Sequence, residues 1–201
     1  MNDLMSGPID IDLPDAAVRV WPGYFDPAAA DRYMSELTNE IDWVQEHAHI
    51  YGKTHDLPRL TAWYGDAGKS YRYSGIRVTA QPWTPLLLEI KDKVEQLSNG
   101  ETFNSVLLNL YRSGDDCVGW HSDDEAELGS QPLIGSVSVG ASRPFQLKHK
   151  TKLTERRTFV LDSGDVLLMQ GDTQRHWQHQ IPRTRKPMGP RINLTFRRIV
   201  T

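Results

Sequence analysis

Cysteine is almost absent: Cys117 is the only one in 201 residues. No intrachain disulfide can form, which suits a reducing compartment. Cys117 itself reads as a small buried apolar side chain. No run approaches the roughly 18 apolar residues of a membrane helix, and the acidic N-terminus lacks the apolar stretch of a signal peptide. These absences predict a soluble intracellular protein, cytoplasmic if bacterial and nuclear if eukaryotic, with no membrane partner. Positive charge is not in excess either. The 23 Lys and Arg are outnumbered by 26 Asp and Glu, for a net charge of −3. That total argues against a purely electrostatic nucleic-acid binder, but the charge is unevenly spread. Asp3, Asp10, Asp12 and Asp15 precede the first basic residue, Arg19, whereas 143–157 and 183–198 are rich in Arg and Lys. Any basic surface must come from those two segments. Internal repeats and low-complexity tracts are missing as well.

What remains fits one domain of residues 16–201, preceded by a weakly ordered acidic segment, 1–15, with Pro8 and Pro14. Two helices are predicted. Asp26-Pro27 is a cap followed by Pro at the first helical position. Ala30, Tyr33, Met34, Leu37 and Ile41 then recur at helical spacing. Thr84-Pro85 starts a second helix, whose stripe is Leu87, Ile90, Val94 and Leu97 and whose end is Asn99-Gly100. From about residue 102 the pattern changes to short runs between turns: 106–111, 133–139, 144–148, 158–161, 166–170, 176–181 and 191–199. Such spacing predicts an α+β, mainly β protein built as a jelly roll, or double-stranded β-helix, with two supporting helices. The stretch 48–79 reads as further strand and loop.

Two features carry chemistry. The first is His121-Ser122-Asp123 with a distant histidine. Two His and one carboxylate bind one face of an octahedral iron(II) and leave positions open for substrates. Residues two apart on a strand point the same way, so His121 and Asp123 can reach one ion. For the third ligand, Trp177, His179 and Ile181 share a strand face with apolar companions, which favours His179 over His176, a rim or structural residue. His47, His49, His55 and His149 have no partner at ligand spacing and read as solvent or loop residues. The second feature is the last strand, whose apolar face is Ile192, Leu194 and Phe196 and whose other face is Arg191, Asn193, Thr195 and Arg197. A solvent-facing strand would look the same. Alternatively the polar face lines a pocket, where two guanidinium groups grip the ends of a small dicarboxylate. Asn109 and Tyr111 share one face of the 106–111 strand and would add neutral hydrogen bonds.

Asn109-Leu-Tyr111, His121-x-Asp123, His179 and Arg191-x-Asn-x-Thr-Phe-Arg197, in this order, resemble the AlkB family of iron(II)- and 2-oxoglutarate-dependent dioxygenases over residues 50–199. Pro58-Arg59, Tyr64-Gly-Asp-Ala-Gly68, Tyr73-Ser-Gly75, Phe103-Asn104 and His121-Ser-Asp-Asp-Glu125 look like the branch that repairs duplex DNA in animals. The resemblance implies Fe(2+) held by His121, Asp123 and His179, with O2 and 2-oxoglutarate as co-substrates. Arg197 would pair with the carboxylate near the metal and Arg191 with the distal one, assisted by Asn109, Tyr111 and Asn193. It implies hydroxylation of N-alkyl groups on bases such as 1-methyladenine and 3-methylcytosine, with release of succinate, carbon dioxide and an aldehyde. A nucleotide-recognition region is implied at about 45–80. Tyr71 and Tyr73 match aromatic walls for a base taken out of the stack, and Asp124 and Glu125 match positions near a cationic lesion. Ile50-Tyr51-Gly52 matches a wedge that fills the vacated stack, here with Tyr at its tip. Arg59, Arg183, Arg185 and Lys186 would contact phosphates. The expected partner is nucleic acid, DNA before RNA, met by a monomer. An RNA demethylase of the same family and a non-catalytic nucleic-acid-binding jelly roll stand as alternatives.

Overall fold

The computed structural model describes residues 7–50, 52–73 and 76–200, without the side chains of 48–50, 70–73 and 76–78. Its strands are β1 (Ile9–Ile11), β2 (Ala17–Trp21), β3 (His47–Ile50), β4 (Lys53–Asp56), β5 (Leu60–Gly65), β6 (Ser70–Tyr73), β7 (Ile76–Thr79), β8 (Ser105–Tyr111), β9 (Val118–His121), β10 (Ile134–Gly140), β11 (Arg143–His149), β12 (Arg156–Leu161), β13 (Val166–Gln170), β14 (Trp177–Ile181) and β15 (Arg191–Arg197). The helices are α1 (Pro27–Glu40), α2 (Pro85–Glu95) and the single turn α3 (Thr173–His176). Seven strands form a major sheet in the order β1-β2-β13-β10-β15-β8-β5, and four form a minor sheet, β12-β11-β14-β9. The pairs β3-β4 and β6-β7 are separate two-stranded ribbons. The jelly roll expected from the strand spacing is thus present, as two facing antiparallel sheets.

Both helix starts follow from their caps. The Asp26 carboxylate accepts from Ala29 N at 2.8 Å, and Thr84 Oγ1 from Leu87 N at 3.2 Å. The second helix is shorter than its apolar stripe. It stops at Glu95, and Asn99 and Gly100 lie beyond it with φ of 55° and 93°. The expected disorder of 1–15 also gives way in part. Ile9–Ile11 pairs with Val18–Val20, and Leu13 is buried. Segments this short carry no periodicity of their own; partner strand β2 supplies the order.

The major sheet separates two apolar layers. Its outer face packs on the helices through Tyr33, Leu37, Leu87, Ile90, Val94, Val106, Leu108, Ile192, Leu194 and Phe196. Its inner face meets the minor sheet through residues such as Leu107, Tyr111, Phe145, Leu147, Trp177 and Ile181. β15 runs between β10 and β8, and all seven of its residues are buried, so both of its faces are covered. The polar side of β15 therefore faces the space between the sheets, and the solvent-facing account of that strand is excluded.

Candidate active site

One cavity of about 380 Å³ opens between the sheets, lined from β8, β10 and β15 on one side and β9, β11 and β14 on the other. His121 and His179 face each other across the β9–β14 pair, with ring centroids 4.2 Å apart. Asp123 completes the group, and the ligand atoms of all three lie within 4.8 Å of one another. The expected shared strand face for His121 and Asp123 needs correcting, because β9 ends at His121. Asp123 is turned inward by other means. Its backbone N–H donates to Gln174 Oε1 at 2.9 Å, and Ser122 Oγ donates to Trp177 O at 2.8 Å. His176 lies in α3 rather than on β14, which removes it from the cavity by a different route from the one expected.

The protonation states suit a cation. His121 Nδ1 lies 2.8 Å from Gly119 O. A carbonyl only accepts, so Nδ1 carries the proton and Nε2 presents a lone pair. Burial, reinforced by His121, pushes His179 down to about 3, so its ring is neutral at neutral pH. Burial works against the Asp123 anion, but Arg197, His179 and His121 outweigh it and hold the carboxyl at about 2. Asp123 Oδ2 is buried with no hydrogen-bond partner. Two imidazole lone pairs and an unsatisfied carboxylate oxygen at one point fit iron(II).

The second half of the cavity is cationic. Arg191, Asn193, Thr195 and Arg197 all line it, with Asn109 and Tyr111 from β8. The register pairs Arg191 with Tyr111 and Asn193 with Asn109. Arg197 Nη2 donates to Asp123 Oδ1 at 2.7 Å, tying one guanidinium to the metal-ligand end. Arg191 is only 1% exposed; it donates Nη2 to Ser138 Oγ at 2.8 Å, while its Nε and Nη1 are buried without a hydrogen-bond partner. Burial lowers its pKa to about 10, Tyr111 opposing and Arg143 adding to the shift, so it stays charged at neutral pH. An unsatisfied buried cation at one end and open ligand positions at the other fit a dicarboxylate with a chelating group. Asn193 is bound instead to β10: its Nδ2 donates to Ser136 Oγ at 2.8 Å and Val137 O at 2.9 Å.

The sequence pattern of the 2OG-Fe(II) oxygenase superfamily matches residues 17–197. The chain belongs to that superfamily. It is 41% identical over 191 residues to human alpha-ketoglutarate-dependent dioxygenase alkB homolog 3, covering 90% of this chain and 66% of that protein. It is 41% identical over 186 residues to human DNA oxidative demethylase ALKBH2, covering 88% and 71%. The chain thus spans about two thirds of the length of these curated relatives. The solved structure of OsALKBH1 superposes with a TM-score of 0.67 at 17% identity, over 96% of this chain and 100% of that one, which shows the fold.

Around the oxygenase cavity the expected substrate residues divide. Glu125 lines the cavity, and its Oε2 is buried without a partner. Asp124 does not join it: its carboxylate is exposed and takes Lys150 Nζ at 2.9 Å. Arg59, expected on phosphates, is 4% exposed and lines the cavity, where its Nε donates to Asn109 Oδ1 at 2.8 Å. The guanidinium is drawn inward by a buried amide oxygen. Arg183, Arg185 and Lys186 are exposed on the loop after β14, with Arg183 Nε donating to Asp115 O at 2.9 Å. Tyr71 and Tyr73 lie two apart on β6 and Ile50 ends β3, but their side chains lie outside the description. Tyr51 lies outside the described residues, and Gly52 beside it is exposed, with φ of 75°.

Other residues emerge only from the structure. Gln174 and Ser122 seat Asp123, and Ser136 and Ser138 serve the polar face of β15. The alternation Ser136-Val-Ser138 was a usable signal, since it mirrors Asn193-Leu-Thr195. Arg143, counted with the basic surface, is completely buried. Cys117 is half-buried rather than buried. His149 is 3% exposed and joins Asp15 and His176 in a second cluster, so it is not a loop histidine.

Proposed function

We propose that this oxygenase dealkylates N-alkylated bases of DNA, 1-methyladenine and 3-methylcytosine among them. One atom of O2 hydroxylates the N-alkyl carbon, and the other enters succinate as 2-oxoglutarate loses carbon dioxide. The hydroxylated group then leaves as an aldehyde and restores the base. The observation that carries this reading is the cavity that joins His121, Asp123 and His179 to Arg197 and Arg191 along one strand. Iron(II), when bound there, supplies the activation of dioxygen. Arg197 holds Asp123 in place and neutralises the carboxylate next to it. Arg191, with Tyr111 against its guanidinium, binds the distal carboxylate, and Asn109 adds a hydrogen bond. The sheets exclude water from both.

The substrate half of the proposal rests on the relatives' names and on the rim. One relative is a DNA oxidative demethylase and another an alkB homolog, both at 41% identity. The Glu125 carboxylate at the cavity wall suits a cationic methylated base. Exposed Arg185 and Lys186 suit phosphates. No helix of the described residues is long and apolar enough to cross a membrane. We take residues 16–201 as one dioxygenase domain, with nucleotide recognition at 45–80, acting as an intracellular monomer, in the nucleus if the cell has one.

The test is succinate and aldehyde production from the iron-loaded chain on one methylated sequence offered as single-stranded DNA, duplex DNA and RNA. Turnover on DNA above RNA is expected. Turnover on RNA alone would transfer the activity to that polymer, and no succinate with any of the three would refute catalysis. In the same assay Tyr51→Ala should slow duplex repair strongly and single-strand repair weakly, because only a duplex leaves a gap to fill.

A further inference from the structure

We infer that Arg143 is a positioning residue shared by the two ends of the site: it seats Tyr111 beside Arg191, and it fixes the 182–186 loop at the rim. Arg143 opens β11 and is 0% exposed. Burying a guanidinium is costly unless its donors are met; here backbone carbonyls of two loops meet both Nη groups, while Nε is buried without a hydrogen-bond partner. Nη1 donates to Ser113 O at 3.1 Å, and Nη2 donates to Asp116 O at 2.9 Å and to Pro182 O at 2.8 Å. The first loop leaves β8 immediately after Tyr111, and the second leaves β14 after Ile181, on the strand that carries His179.

The same guanidinium lies against Tyr111, with Cζ 5.6 Å from the ring centroid, while Arg191 Cζ lies 5.3 Å from it. Two buried cations thus lie against the Tyr111 ring, at the end of the cavity where the distal carboxylate is proposed to bind. At the rim the two loops form one body. Thr184 N–H donates to Gly114 O at 2.9 Å, and Arg183 Nε to Asp115 O at 2.9 Å. A Cβ on Gly114 would stand 2.6 Å from Thr184 O and 2.8 Å from Lys186 O, so the loops touch where no side chain fits. Beneath them Arg143 ties both to β11. A lysine has a single ammonium and cannot reproduce the planar fork that spans carbonyls from two segments. The rim half of this inference rests on the proposed nucleic-acid substrate; the co-substrate half rests only on the proposed place of Arg191 at the distal carboxylate.

The test uses the full iron-loaded chain. Arg143→Lys should raise the KM for 2-oxoglutarate about tenfold while kcat at saturation stays within about twofold, the signature of a lost binding contact. Its affinity for a fluorescein-labelled methylated oligonucleotide should fall about threefold or more, with cobalt(II) affinity unchanged. Gly114→Ala should weaken the oligonucleotide and leave the 2-oxoglutarate KM alone. A lower Tm for Arg143→Lys with both affinities unchanged would make the residue merely structural. A variant too unstable to assay would count the same way. Unchanged oligonucleotide binding in Gly114→Ala removes the rim half. If the unaltered chain binds no oligonucleotide, the proposed function and the rim half fall together, and the 2-oxoglutarate KM still decides the role at Tyr111.

Discussion

Two clusters in this molecule have the same composition, two histidines and an aspartate with ligand atoms within 4.8 Å: His121, Asp123 and His179, and Asp15, His149 and His176. What separates them is the proton on one ring. In the first, Gly119 O takes the Nδ1 proton of His121 and leaves Nε2 as a donor of electrons. In the second, His149 Nδ1 accepts the backbone N–H groups of Thr151 at 3.2 Å and Lys152 at 2.9 Å, which puts the proton on Nε2. That nitrogen faces Asp15 Oδ2 at 3.4 Å, and Lys152 Nζ already occupies the same oxygen at 2.6 Å. His149 also packs on His176 and Trp177, at 5.7 and 5.2 Å between centroids, and Trp177 Nε1 donates to Pro14 O at 2.9 Å. The first cluster is arranged to bind a cation. The second fastens the 13–17 segment to the minor sheet. The backbone around a histidine, not the count of ligand-type residues, decides between the two.

The comparison can be broken most sharply at the metal. Alanine at His121, Asp123 or His179 should abolish turnover and cobalt(II) binding, whereas the intact chain should titrate with one cobalt; a second equivalent bound at Asp15 and His149 would overturn the assignment. A smaller effect is expected from His149→Ala. It strands the two backbone N–H groups that now point at Nδ1, at a cost of about 1–3 kcal/mol for each donor left unsatisfied. Chemical denaturation should show that loss while metal stoichiometry and turnover hold.

Asp15→Asn tests the charge in the fastening. Lys152 lowers the Asp15 pKa below 3.8 against the opposing effect of burial, with smaller help from His149 and His176. A carboxyl lowered in the folded chain stabilises above its ordinary pKa, and that help is lost as the pH falls through the lowered value. The variant should therefore be less stable than the parent at pH 7, and the gap should close below pH 3.8. A gap that persists in acid would mean that the side chain acts by shape alone. His176→Ala should change least, keeping most turnover, because the ring stacks on His149 without joining the cavity.

The parts legible in the sequence were those carried by local pattern. The helix starts at Asp26 and Thr84, the two-faced alternation of β15 and the choice of His179 follow from neighbours a few residues away. The illegible parts depend on distant partners. Asp123 reaches the cavity because Gln174, 51 residues on, accepts from its backbone. Arg59 turns inward for Asn109, 50 residues away. Arg143 is charged like a surface residue, and only the meeting of two loops makes an interior place for it. The basic composition of 143–157 and 183–198 therefore overstated the positive surface, since Arg143, Arg191 and Arg197 are all buried.

The ribbons β3-β4 and β6-β7 contribute no strand to either large sheet. Residues next to them bridge to edge strand β5, Val44 to Thr61 and Gln81 to Tyr64, while His121 and His179 sit on β9 and β14 of the minor sheet. The molecule is therefore modular in its sheet pairing. Changes confined to these two ribbons leave the pairing of β15 with β8 and β10 in place. Under the proposed function, such a fold can change what it reads while keeping how it oxidises.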